Sequence, residues 1–150
     1  MSEPKRLTLE EYREIANREV KKRNYSHEES DIQISCVEWF KIQYPKMLIF
    51  AVPNGGKRAM KDIHTKNGVK SVPLEAMKMK DEGVLAGVSD LILAYASKGY
   101  HGLFIEMKTE TGTQSDSQKA FQVKAEYFGY KYVVCRSFLQ FMKEVNDYIK

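Results

Sequence analysis

Residues 87–108 read Gly87-Val88-Ser89-Asp90-Leu91-Ile92-Leu93, then Ala94 to Gly102, then Leu103-Phe104-Ile105-Glu106-Met107-Lys108, and this stretch decides the fold. Two apolar runs flank the turn signal Ser97-Lys98-Gly99-Tyr100, so they are expected to pair as an antiparallel hairpin. Charge interrupts the hairpin only at its open end. Asp90 opens the first strand, and Glu106 and Lys108 close the second. In a strand, residues i and i+2 share a face, so Glu106 and Lys108 project together and Met107 faces the other way. Antiparallel pairing sets the start of one strand beside the end of the other, which brings Asp90 close to both. Burying such groups is costly unless they pair with each other or bind a metal.

Two carboxylates are oxygen ligands for a hard cation, Mg²⁺ or Mn²⁺. Such a cation lowers the pKa of a bound water and offsets charge on a phosphate. A lysine two residues on can orient that water or stabilise the charge developing on phosphorus. Spacing alone leaves a second reading equally open, in which the same residues form an ion pair on an edge strand and catalyse nothing.

Working outward, Met47–Val52 is a continuous apolar run and reads as a buried strand ended by the turn Pro53-Asn54-Gly55-Gly56. Upstream, Ile32, Cys36, Trp39, Phe40 and Gln43 recur at helical spacing. That helix is expected to start at Ser26, with Glu29 three residues on completing a capping box. An earlier helix is expected from Thr8 to about Asn24, on Leu9, Tyr12, Ile15, Ala16 and Val20. Residues 57–72 are basic and poorly periodic, and read as a long loop or a small hairpin turning at Asn67-Gly68. Pro73 introduces a short helix over 74–81 with Gly83 beyond it. Downstream come a helix over 117–128 capped by Gly129, a strand over 130–135 and a final helix from Phe138. The order predicts one α/β domain around a central mixed β-sheet flanked by helices.

Composition narrows the function. The 150 residues hold one Trp, nine Tyr and seven Phe, and 43% are hydrophobic, enough to build one core. No apolar run exceeds six residues, so no membrane span is expected. The first 30 residues alternate acid and base, so no secretory signal is expected. Cys36 and Cys135 sit inside apolar patterns and are expected to be reduced core residues. With three His and no Cys-x-x-Cys, a structural zinc site has little support. The net charge is +4, but residues 57–80 carry seven cations against two anions. A basic segment of this kind fits a phosphate-bearing partner, and a solvated lysine-rich loop fits the charge equally well.

Taken together, Gly87-Val88-Ser89-Asp90 and the Glu106-Met107-Lys108 triplet resemble the PD-(D/E)xK nuclease superfamily. More narrowly, the chain resembles the VRR-NUC family. Three further stretches carry that likeness: Glu29 with Ile32-Gln33, Pro53-Asn54-Gly55-Gly56-Lys57-Arg58, and Ser117-Gln118. Ser89 stands where the family often has Pro, and the segment from Ala59 to Ala76 is longer than the family's pattern. The resemblance implies a restriction-endonuclease-like core over residues 26–150 with a helical extension over 1–25. It implies that Asp90, Glu106, the Met107 carbonyl and Glu29 hold Mg²⁺ or Mn²⁺, that Lys108 positions the attacking water, and that Gln118 sits at the active site. Asn54, Gly55, Gly56, Lys57, Arg58, Lys61, Gln33 and Ser117 are the expected DNA contacts. Glu29, Gln33 and Gln118 also admit plain helix-end or solvated roles, and His64 and His101 read as surface residues.

The expected function is therefore a metal-dependent, structure-specific DNA endonuclease acting on branched DNA such as four-way (Holliday) junctions, as in DNA repair. A C2 homodimer would suit two symmetric scissile strands. Flap or general DNA cleavage, or a non-catalytic nucleic-acid-binding module, are the alternatives. The intact Asp90, Glu106 and Lys108 argue against the last. Small size suits a phage or mobile-element protein in the cytoplasm of a bacterial or phage-infected cell.

Overall fold

β5 (Leu103–Met107) shows in five residues how the sheet is dressed on both faces. Leu103, Ile105 and Met107 point one way and are at most 1% exposed, while Phe104 and Glu106 point the other way. Its partners follow the same alternation. β4 (Leu91–Leu93) runs antiparallel to it, with Leu91 opposite Ile105 and Leu93 opposite Leu103. β6 (Lys131–Cys135) runs parallel to it, with Tyr132 beside Phe104, Val134 beside Glu106 and Cys135 beside Met107. β1 (Ile49–Ala51) adds to the far side of β4, giving the order β1-β4-β5-β6.

This computed structural model describes Glu10 and residues 28–52, 61–66, 68–72 and 74–150. Apart from Glu10, the expected helix over 8–24 lies outside the described residues, as do the Ser26 cap and the Pro53–Arg58 turn.

Two helices cover the odd-numbered face of β5. From α1 (Glu28–Gln43) come Cys36, Trp39 and Phe40, and from α4 (Phe138–Ile149) come Phe141, Val145 and Tyr148. The Trp39 and Phe141 rings meet edge to face with centroids 5.9 Å apart. Cys36 and Cys135 are free thiols inside this core, and burial pushes both upward, Cys135 to about 12. The opposite face takes α3 (Asp116–Tyr127), whose Phe121 ring stands against Phe104 at 5.0 Å. α3 is also the crossover that a parallel β5–β6 pair requires. The result is a mixed four-stranded sheet between two helical layers, α/β as expected. No helix among the described residues is long and apolar enough to cross a membrane.

Several element limits differ from the sequence reading. The first strand covers 49–51 rather than 47–52, because the flanking residues make one-sided bonds only: Ala94 donates to Leu48 and Val52 donates to Asp90. Of the two readings of the basic segment, loop or small hairpin, the structure gives the hairpin: β2 (Lys61–Thr65) pairs with β3 (Gly68–Val72), with Thr65 opposite Gly68 at φ +117°. The short helix α2 (Leu74–Asp81) and α4 fall as expected. α3 starts one residue early, at Asp116, because Ser115 is its N-cap. Its C-cap is Phe128, and Gly129 follows at φ +80°, the left-handed turn that leaves the helix.

Phe141→Ala should lower the unfolding free energy by about 3–5 kcal/mol in urea titrations, because it opens a cavity beneath Trp39. A loss under about 1 kcal/mol would mean that the α1–α4 contact does not support the sheet.

Candidate active site

Four elements end at one edge of the sheet, and each delivers a polar side chain there. β4 is preceded by Asp90, β5 carries Glu106 in its last two residues and is followed by Lys108, α1 contributes Glu29 from its first turn, and α3 contributes Gln118. Asp90 Oδ2 accepts the Met107 N–H at 2.8 Å, which ties the two strands together at the point where charge begins. Lys108 Nζ lies 2.8 Å from Glu106 Oε1, as the i, i+2 rule requires. The Thr109 N–H donates to Glu29 Oε1 at 3.0 Å, so the helix acid is fixed beside the end of β5.

Glu106 is the centre of this group and has no solvent exposure. Its Oε1 accepts from Lys108 and from Gln118 Nε2. Its Oε2 accepts from the Tyr132 hydroxyl at 3.3 Å. Tyr132 is placed by the parallel register, since it shares the α3-side face of the sheet with Glu106. Gln114 donates to the Tyr132 oxygen at 3.5 Å and to Gln122 at 3.0 Å, and so extends the network toward α3.

Burial dominates the electrostatics. It pushes the Glu106 carboxyl above its usual range; the Lys108 hydrogen bond pulls against this and the Asp90 charge adds to it. Burial likewise raises Asp90, opposed by the Met107 N–H and Lys108 and reinforced by Glu29. For Lys108, burial acts downward, but the bond to Glu106 and the charges of Glu106, Glu29 and Asp90 outweigh it and raise the ammonium. Lys108 is therefore firmly protonated at neutral pH. Three carboxylates face one ammonium, and this excess of negative charge is the condition a cation relieves.

Glycine and arginine shape the walls. Gly87, at φ +85°, lies so close to α3 that a Cβ would stand 2.3 Å from the Ser117 carbonyl oxygen. At Gly112 a Cβ would meet Thr109 Oγ1 at 2.9 Å and Glu29 Oε1 at 3.4 Å. Arg136 Nη1 donates to the carbonyls of Thr109 at 2.8 Å and Gly112 at 2.6 Å, and so folds the loop after Lys108.

The expected site residues divide three ways. Asp90, Glu106, Met107, Lys108, Glu29 and Gln118 come together. Gln118 also completes a capping box, accepting from the Ser115 N–H at 2.8 Å, so the helix-end and active-site readings both hold. Ser117 bonds Ser115 at 2.9 Å and lines a neighbouring cleft. Gln33 lines a groove along α1 with Ser30, Ile34, Val37, Glu38 and Lys41. Lys61 opens β2 in the separate two-stranded sheet. Asn54, Gly55, Gly56, Lys57 and Arg58 lie outside the described residues. Tyr132, Gln114 and Arg136 were not anticipated. Only the parallel pairing of β5 with β6 would have pointed to Tyr132.

Among the described residues no three His, Cys, Asp or Glu side chains form a ready metal cluster. The donor set that fits a hard cation is Asp90 and Glu106 with the Met107 carbonyl, and Glu29 behind them.

Comparison with known proteins agrees with this geometry. The sequence model of the VRR-NUC domain matches residues 27–139. A solved structure described as a VRR_NUC domain protein superposes with a TM-score of 0.62 at 25% identity, covering 83% of this chain and 90% of that one. No curated protein matches the chain.

Two substitutions test the site's construction. Gly87→Ala combines a left-handed backbone with a collision against the α3 backbone, and should cost about 1–3 kcal/mol or more in denaturant titration. Asp90→Asn keeps an acceptor for the Met107 N–H but removes a charge that burial opposes, so it should raise the thermal midpoint at neutral pH. Because the folded-state pKa of Asp90 lies above its ordinary 3.8, the folded form holds the proton more tightly than the unfolded chain. The carboxylate's penalty is therefore absent below pH 3.8 and grows as pH rises through the raised pKa. The gap between the two proteins should follow that course, and a midpoint independent of pH would contradict it.

Proposed function

The chain belongs to the VRR-NUC domain family and so carries a nuclease domain, and from that premise we propose that it is a metal-dependent endonuclease cutting branched DNA, four-way (Holliday) junctions above all. The observation that carries this reading is the meeting of Asp90, Glu106 and Lys108 at one sheet edge, with the lysine held as an ammonium. A protonated Lys108 cannot take a proton from water. It can donate to the attacking water and to a phosphate oxygen, placing positive charge where negative charge develops. Mg²⁺ or Mn²⁺ held by Asp90, Glu106 and the Met107 carbonyl, with Glu29 in support, would lower the pKa of water and screen the phosphate.

The chain's own residues do the rest. Gln118 and Tyr132 aim the Glu106 carboxylate, and Glu29 and Arg136 hold the loop beside it. DNA would be recognised by shape through phosphate contacts, with Ser117 beside the site and the basic segment around Lys57, Arg58 and Lys61 as the wider contact. A homodimer would present two such sites. The exposed Val123 and Tyr127, one turn apart on α3, and the adjacent Phe128 favour a second copy as partner. The cytoplasm of a bacterial or phage-infected cell is the proposed setting, and residues 26–150 are the proposed nuclease unit, with 1–25 as an extension.

The full burial of Glu106 favours one competing reading, in which the cluster only locks β5, β6 and α3 together. Cleavage of labelled four-way, flap, nicked and linear DNA separates the two. Mg²⁺ or Mn²⁺ should support symmetric nicks in the four-way junction, and EDTA should abolish them. Lys108→Ala should lose about 10²–10³-fold in rate while still binding DNA. Cutting of flaps or linear duplex instead would keep the nuclease and discard the junction preference. Binding without cutting under any metal would leave a non-catalytic module.

A further inference from the structure

A cleft of about 760 Å³ opens beside the carboxylate cluster, between the segment from Met79 to Val88 and the first turn of α3. Its inner end is Gln118, the residue whose amide donates to Glu106. One wall is apolar: Val84, Leu85 and Val88 line it, and Val84 and Leu85 are 36% and 53% exposed. The other wall is polar, with Ser117 and Gln118, and Lys80 stands at the rim. Among the described residues no acidic side chain lines it. The wall is firmly seated, because Gly87 at φ +85° packs directly on the Ser117 carbonyl. Gly87 is also three residues before Asp90, so cleft and carboxylates are built from the same backbone.

We propose that this cleft receives the base and deoxyribose of the nucleotide next to the scissile phosphate, turned out of the helical stack. The proposal rests on the nuclease reading and deepens it by naming a nucleotide subsite. Three features argue for this occupant. The cleft has the size and the mixed apolar and polar lining of small-molecule sites. Its charge suits a polyanion, unlike the carboxylate cluster beside it. Its inner end lies against the group proposed to act on the phosphate, so a strand with its phosphate there passes the cleft mouth. Val84 and Leu85 supply an apolar contact for a base face, and Ser117 and Gln118 supply polar edges. A base leaves the stack most cheaply where pairing is already interrupted. A cleft that demands such a base would favour branch points over intact duplex without reading sequence.

The test places 2-aminopurine, a base whose fluorescence rises on unstacking, at each nucleotide flanking the cut in a four-way junction. The full chain is added in EDTA, so binding is read without cleavage. One position should brighten with wild-type protein, because aliphatic walls do not quench it. Leu85→Ser, and independently Val84→Ser, should abolish the rise while the junction is still bound, and with Mg²⁺ should lower kcat/KM on the junction about tenfold. Both side chains are exposed, so the fold should survive, and circular dichroism checks this. No rise at any position, or the same rise in both variants, overturns the proposal. If wild type cuts DNA with no rise, only the cleft assignment fails. If wild type neither binds nor cuts any DNA, the nuclease reading fails and the subsite goes with it.

Discussion

The structure is organised around one buried carboxylate. Glu106 sits without solvent exposure on the central strand β5, and three donors from three places hold it: Lys108 from just past the end of that strand, Gln118 from α3 and Tyr132 from β6. A carboxylate buried with fewer partners would be driven to protonate or the strand would be driven to the surface. The parallel register of β5 and β6 and the N-terminal placement of α3 are therefore coupled to the same charge. Shifting β6 by one residue would turn the Tyr132 hydroxyl into the core and present a different side chain to Glu106.

Around this centre the chain accepts local strain and charge crowding that a purely structural fold would avoid. Asp90 and Glu106 are both held against burial, and Glu29 adds a third negative charge. Gly87 adopts a left-handed backbone to bring its strand against α3, and Gly112 allows the following loop to lie on Glu29. Arg136 closes that loop by gathering its carbonyls. Such concentrations of unfavourable terms at one edge, over a well-packed aromatic core, mark the candidate site.

Much of this was legible in the chain, and what was missed has a common cause. The hairpin of β4 and β5 follows from two apolar runs and a turn, and the convergence of Asp90, Glu106 and Lys108 follows from period-two geometry. The core roles of Trp39 and Cys36 follow from helical spacing. Tyr132 was not legible, because a parallel neighbour is chosen by a crossover and not by a local signal. Gln33, one helical turn from Glu29, lines a groove along α1. Ser115, the cap that fixes where α3 begins, was readable from its three-residue spacing to Gln118 but was masked by the Ser at 117.

The spread of the cluster along the chain has a consequence for how the protein comes into being. The contacts that assemble it span very different distances: 12 residues from Gln118 to Glu106, 17 from Asp90 to Met107, 26 from Tyr132 to Glu106, and 80 from Glu29 to Thr109. Loop closure is more costly for the longer spans, so the Glu29 contact carries the largest closure cost of the set. A chain emerging from the ribosome cannot complete the set until β6 has been made, because Tyr132 follows every other member. A nascent or half-folded molecule thus carries the carboxylates without their full scaffold. The cluster therefore exists as a whole only when the last of these strands is in place.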